Sequence, residues 1–229
     1  IFMSEFLLEL YSEEIPPQLQ INARNQLKQL MEKSFKNEGI NFKECLEHSS
    51  PTRLSIYVKG LPDKIKIKPK EIRGPKVGVE NNILDGFMKS RNVSSKNLFK
   101  KRTEKGEFYF IKTLEKNILV ADLLVTILPK AISEISWKKS MKWSTNNLMW
   151  GRPLRSIFAI FNGKKLFFKI QHLESCDYIT IEQNLVTKSK KIKNFNEYHS
   201  FLKANKIILD QNERKKIILK KFDSVIKSK

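Results

Sequence analysis

The chain has 229 residues, 40% hydrophobic and 10% aromatic, enough to bury a real core and too apolar for a wholly disordered polypeptide. With 44 Lys+Arg against 24 Asp+Glu the formal net charge is +20, which opposes compaction unless an anion neutralises it and draws polyanions in at long range. Nucleic acid is the first partner class this implies, an anionic membrane the second, and compositional drift toward Lys, Asn and Ile a third account of the same charge.

The longest apolar stretch, residues 118–128, is interrupted by Asp122 and is too short to cross a bilayer; the expected partners include no membrane. The first five residues have no basic n-region and no small-residue cleavage site; Met3 is the expected natural start and the cytoplasm the expected location. Two cysteines, Cys45 and Cys176, make no disulfide framework.

In chain order, residues 6–11 (Phe-Leu-Leu-Glu-Leu-Tyr) read as a buried strand, ended by Ser12-Glu13-Glu14-Ile15-Pro16-Pro17. Residues 19–37 follow as a helix with Ala23, Leu27, Leu30, Met31 and Phe35 on one stripe and Gly39 as its cap. Residues 42–48 and 53–59 look like two strands around Ser49-Ser50-Pro51-Thr52. In the second, Leu54, Ile56 and Val58 alternate with Ser55, Tyr57 and Lys59, which predicts a half-buried strand. Residues 64–72 alternate again, with one cationic face, and Arg73-Gly74-Pro75 predicts the closing turn; Pro62 and Pro69 point to an edge.

Residues 81–92 predict a short helix, 94–99 another turn of one, and 99–114 a hairpin turning at Glu104-Lys105-Gly106-Glu107. Phe108-Tyr109-Phe110-Ile111, without alternation, predicts a strand covered on both sides. Residues 119–135 carry a helical stripe that Pro129 is expected to kink or split. The window 137–153 then holds all three tryptophans, Trp137, Trp143 and Trp150, among Lys138, Lys139, Lys142 and Arg152, with Arg155 close behind and no acidic residue. Two readings stay open: aromatic core with a solvated lysine rim, or flat rings and cations offered to bases and phosphates. Strands at 157–161 and 166–173 are predicted around Asn162-Gly163, a favoured hairpin dipeptide.

Past about Val186 the character shifts: the last 44 residues hold thirteen Lys+Arg, four Asp+Glu and no Gly or Pro. Residues 195–205 predict one helix. A second begins near Asp210, with Glu213 in a capping-box position and an apolar stripe through Ile217, Ile218, Phe222, Val225 and Ile226, so the chain is expected to continue past Lys229.

Adjacent Glu13 and Glu14 face opposite ways in an extended segment, so a nearby cation or helix N-terminus is their expected partner rather than acid–base work. The nucleophile-elbow, Walker and dinucleotide motifs are absent from the sequence, and no catalytic residue is assigned. Cys45-x-x-His48 and His172-x-x-x-Cys176 could close one zinc site only if two strand ends met; no metal is expected. Arg53, Arg73 and Arg152 each sit beside a proline turn, where a stiffened arginine grips phosphate well or ties down its own loop through carbonyl oxygens.

Several of these local features coincide in one family. Glu9-Leu10-Tyr11-Ser12-Glu13-Glu14-Ile15-Pro16-Pro17 resembles the opening Glu-Ile-Gly-Thr-Glu-Glu-(Leu/Ile)-Pro of the β subunit of bacterial heterotetrameric glycyl-tRNA synthetase. Pro51-Thr52-Arg53-Leu54 is similar to its Pro-Arg-Arg-Leu, and Arg73-Gly74-Pro75 to its Arg-Gly-Pro. Lys105-Gly106-Glu107 resembles its Lys-Gly-Glu, Lys139-Ser140-Met141-Lys142-Trp143 its Lys-x-Met-Arg-Trp, Arg152-Pro153 its Arg-Pro, and Glu213-Arg214-Lys215 its Glu-Arg-Lys. The chain departs where Thr52 replaces an arginine, where Lys138 replaces a proline, and where Glu182-Gln183-Asn184-Leu185 stands at the family's Gly-His-Arg-Phe.

The resemblance implies a cytosolic tRNA-binding and assembly part with the chemistry elsewhere. Its partners would be tRNA(Gly) and an α subunit, in an α2β2 tetramer, that uses ATP with Mg to make glycyl-tRNA; no cofactor is expected on this chain. It implies an α+β fold, a mixed or antiparallel sheet with packed helices over 1–185, then the basic start of a helical region over 186–229. Arg53, Arg73, Lys139, Lys142, Arg152 and Arg155 are the residues expected on or beside the tRNA- or subunit-facing surface. A basic RNA-binding module with no ligase role is the alternative.

Overall fold

A computed structural model describes residues 4–67, 69, 71–91, 93–112, 115–143, 147–183 and 185–227. The fold is α+β, and it divides into two compact units, Ile1–Asp63 with Leu119–Lys229, and Lys64–Ile118. The first unit begins β1 (Ser4–Ser12), α1 (Pro17–Glu38), β2 (Glu44–Ser50) and β3 (Arg53–Leu61). The second runs β4 (Lys64–Ile67), β5 (Glu71–Lys76), α2 (Asn81–Arg91), β6 (Leu98–Thr103), β7 (Gly106–Lys112) and β8 (Lys116–Leu119). The first then resumes with α3 (Val120–Ser133), β9 (Leu154–Phe161), β10 (Lys164–Lys165), β11 (Lys169–Ile170) and β12 (Leu173–Cys176). It ends with β13 (Tyr178–Gln183), β14 (Val186–Lys191), α4 (Phe195–Ala204) and α5 (Gln211–Lys227).

In the first unit β1 is apolar on both faces and therefore takes the middle of a sheet ordered β11-β12-β9-β1-β3-β2, with β10 also on β9. It pairs antiparallel with β3 and β9, while β12 joins β9 in parallel. Helix α1 starts at its prolines and stops at Gly39, whose φ of 68° is the left-handed conformation glycine adopts without strain; Ile40 N–H reaches back to the Phe35 carbonyl at 2.8 Å. The helix carries a buried stripe of Ala23, Leu27, Met31 and Phe35 and packs against α3, β2 and β3. The three larger of these, Leu27, Met31 and Phe35, each contribute about 1.5–3 kcal/mol on full burial. The opposite sheet face, Leu7, Tyr57, Phe158 and Ile160, is covered by Ile179 and Ile181 of β13 and by Tyr198 and Leu202 of α4.

That second cover corrects the reading of β3 as half-buried: Ser55 and Tyr57 are buried along with Leu54, Ile56 and Val58. The 185/186 boundary falls between two paired strands, β13 and β14, both in the first unit, and the second compact unit is Lys64–Ile118. Pro129 does not split its helix, since α3 runs through it as one element. Asn162 and Gly163, at φ 50° and 73°, make the predicted two-residue turn after β9. The strand expected over 166–173 is instead two short ones, β11 and β12.

Within the second unit, the single strand read over 64–72 is two, β4 and β5, on different sheets. Arg73-Gly74-Pro75 does not close a strand; it lies inside β5, where the register with β7 shifts between Arg73 and Lys76. The hairpin β6–β7 forms where expected, with Thr103 opposite Gly106.

Candidate functional site

Four motif segments meet at one end of the main sheet. Ser12 N–H donates to the Thr52 carbonyl at 2.9 Å, Ile15 N–H to the Pro51 carbonyl at 2.6 Å, and Glu13 N–H to the Pro153 carbonyl at 3.0 Å. The chain leaving β1 is thereby stitched to the β2–β3 turn and to the start of β9. Arg214, at the head of α5, closes the set by donating to the Ser49, Ile208 and Leu209 carbonyls at 2.6, 2.7 and 2.9 Å. Partial burial lowers its pKa, with Arg24 adding to the effect.

Arg53 is the largest correction to the sequence reading. Its side chain is only 3% exposed, and it is an internal tie rather than a surface contact. Nε pairs with Glu9 Oε2 at 3.0 Å, Nη1 donates to Thr52 Oγ1 at 2.9 Å, Nη2 donates to the Thr180 carbonyl, and the guanidinium lies 4.5 Å over the Tyr11 ring. Tyr198 of α4 donates its hydroxyl to the same Glu9 oxygen at 2.6 Å. Burial pushes the Glu9 carboxyl above its usual range, while Arg53 and Tyr198 oppose that shift. Sequence reading missed Glu9 and Tyr198. The available signal was an acid at an inward position of an otherwise apolar strand, since a buried carboxylate needs a partner.

Arg155 lies at the rim of the same end. It pairs with Glu182 and, at 3.5 Å, with Glu13, while Tyr11 donates its hydroxyl to Glu182 at 3.2 Å. Partial burial lowers the Arg155 pKa, but Glu182, Tyr11 and Glu13 outweigh it and raise the value. Glu13 thus has the cation expected of it, and Glu182, in the segment where the family motif carries a basic pair, supplies an acid. A cavity of about 310 Å³ opens here, lined by Tyr11, Thr52, Arg53, Glu182, Lys206 and Arg214 among others. Tyr11 bonds Glu182, Arg53 bonds Thr52, and Gln183 and Arg214 bond backbone carbonyls, which suits a rigid docking surface more than a mobile reacting group.

The other expected residues lie elsewhere. In the tryptophan window Met141 and Trp150 form an antiparallel bridge, Trp150 is buried, and the Trp137 and Trp150 rings stand 4.9 Å apart. Gly151 is required there, because a Cβ would come within 2.4 Å of the Trp137 ring. The tryptophan pair is core, and Lys139 and Lys142 are exposed beside it, without an ion pair to any described residue. Arg152 donates to the Gly151 carbonyl at 3.2 Å, tying its own loop. Arg73 belongs to the second unit, exposed, with its guanidinium 3.5 Å over the Phe108 ring. Cys45 and His48 are buried and, three residues apart on a strand, face opposite sides; burial pushes the Cys45 thiol up to about 12. Among the described residues no three of His, Cys, Asp and Glu form a ligand group, and no helix is long and apolar enough to cross a membrane.

The sequence that builds this α+β scaffold matches known proteins. The family model described as glycyl-tRNA synthetase beta subunit matches residues 6–229. The glycine–tRNA ligase beta subunit of Rickettsia canadensis (strain McKiel) is 36% identical over 219 residues, 94% of this chain and 32% of its own length. That of Rickettsia felis is 35% identical over 94% of this chain, and that of Dictyoglomus turgidum 29% identical over 97%, each across 33% of its own length. The chain belongs to the glycyl-tRNA synthetase beta subunit family and spans about a third of the length of these relatives.

Proposed function

We propose that the chain serves as the N-terminal part of a cytoplasmic glycine–tRNA ligase beta subunit. In this reading it docks onto an α subunit and handles tRNA(Gly), while the α subunit performs the chemistry. There ATP, glycine and tRNA become glycyl-tRNA, AMP and diphosphate, with ATP and Mg held by the α subunit. The observation that carries the reading is the family match over residues 6–229, two of whose motif arginines, Arg53 and Arg214, brace the sheet end. A motif that fixes backbone and shapes a surface serves assembly; a group already paired on all sides has little freedom to react. Of the six residues expected at this surface, Lys139 and Lys142 are exposed in the first unit without an ion pair to a described residue and are free to meet a partner in this scheme, while Arg155 would have to exchange Glu13 and Glu182 for it.

Mixing the chain with purified α subunit tests it. A stable complex is expected by gel filtration, and tRNA glycylation once the full-length beta chain is supplied. A chain that binds tRNA yet never associates with the α subunit would support the stand-alone RNA-binding alternative instead.

A further inference from the structure

The unit Lys64–Ile118 concentrates the charge of the chain: it holds 15 Lys+Arg against 6 Asp+Glu in about a quarter of the length. Its sheet, ordered β5-β7-β6, has two unlike faces. On one, Ile72, Leu98 and Ile111 stand in register, with Lys100, Tyr109 and Arg102 further along it, and Phe87 of α2 packs so closely on Gly74 that a Cβ there would lie 2.6 Å from the ring. Alternation puts Arg73, Lys76, Lys101 and Lys112 on the other face, in rows with Phe108 and Phe110. All four cations are exposed. Arg73 lies 3.5 Å over Phe108 and Lys101 5.6 Å over Phe110. Lys101 also pairs with Glu71 at 2.5 Å, whereas Arg73 makes no hydrogen bond or ion pair with a described residue.

We propose that this face of the β5-β7-β6 sheet is an RNA-contacting surface, taking phosphates on Arg73, Lys76, Lys101 and Lys112 and an unpaired base against the Arg73–Phe108 stack. The proposal rests on the reading that the chain handles tRNA. A guanidinium already laid flat on a ring has lost much of its rotamer freedom, keeps its forked N–H groups available for phosphate, and leaves a second planar side for a base. Sheets that bind single-stranded RNA combine aromatic rings with cations in this way, because stacking tolerates any base while charge follows the backbone. Rings lying beneath cations, rather than projecting beyond them, fit a polyanion and offer no apolar wedge to a lipid surface.

The test is tRNA(Gly) binding by the full 229-residue chain, read by fluorescence anisotropy over a salt series. Replacing Arg73, Lys101 and Lys112 together by Ala is expected to weaken binding at least ~10-fold and to make the slope of log K against log salt shallower by about 2, each lost contact to single-stranded phosphate removing ~0.7. Arg73→Lys should keep the slope and still lose affinity, because charge remains while the flat fork goes. Removing the same charge from α5, as Lys215, Lys216 and Lys220 to Ala, should leave affinity within about two-fold. Equal loss from both triple variants, or none from the first, overturns the surface; if that chain still binds the α subunit, the functional reading survives. A wild-type chain that binds neither tRNA nor α subunit overturns both.

Discussion

Arg53 and Arg73 occupy the same kind of sequence context, an arginine beside a proline on a short β segment, and end in opposite environments. Arg53 is enclosed in the first unit between Glu9, Thr52 and the Thr180 carbonyl, under a face covered by α4. Arg73 lies on an exposed face in the second unit, stacked on Phe108. The difference comes from what the rest of the chain places over each strand. The large sheet has helices or a β ribbon on both faces, so a cation inside it survives only with a carboxylate partner. In the small sheet the cations of one face remain exposed.

Four measurements sharpen or break that contrast. The largest effect is expected from Arg53→Ala, which leaves the buried Glu9 carboxylate without its cation and should cost about 3–5 kcal/mol in urea unfolding. Arg73→Ala should stay within about 0.5 kcal/mol; equal costs at the two sites would abolish the distinction. Next is Tyr198→Phe, removing a hydroxyl hydrogen bond to a charged group, for about 1.5–3 kcal/mol. Negligible loss there would mean that α4 is held by its apolar contacts alone.

A pair of glycines extends the contrast to packing. Gly151→Ala drives a Cβ against Trp137, itself braced on Trp150, and should cost about 1–3 kcal/mol. Gly74→Ala meets Phe87 on α2, a helix with no buried residue, so the ring can yield and less than about 1 kcal/mol is expected. Thermal melts of the two variants decide it.

The smallest effect is a pH dependence confined to the first unit. Burial lowers the His48 pKa; Asp210 and Glu47 counter it, and His199 and Arg214 reinforce it. Folding therefore favours the neutral ring. Its contribution is complete above the ordinary imidazole value of about 6.5 and is lost as pH falls through the lower folded value. Melting temperature should drop between pH 7 and 5, and His48→Phe, which preserves the stack on Phe195, should flatten that drop. An unchanged slope would remove His48 from the account.

Much of the architecture was legible in local pattern. The apolar run of β1, the prolines and Gly39 bounding α1, the Asn162-Gly163 turn and the β6–β7 hairpin all act within a few residues. The candidate site was legible only in part. Its motif segments could be picked out and matched to a family, but not their meeting at one sheet end. The bonds that join them span great sequence distances, as from Arg53 to Thr180 or Arg214 to Ser49. β3 read as half-buried because its alternation describes the chain's own polarity, whereas α4, which covers its second face, arrives some 140 residues later.

The sequence by itself therefore determined the elements, the basic character and the family, since propensity, turn chemistry and motif order are carried by neighbouring residues. Only the tertiary structure decided which cations are free. It enclosed Arg53, neutralised Arg155 with two carboxylates, tied Arg152 and Arg214 to carbonyls, and left Arg73 on an open ring. Exposure and pairing depend on what folds over a residue from far along the chain, and no local pattern carries that information.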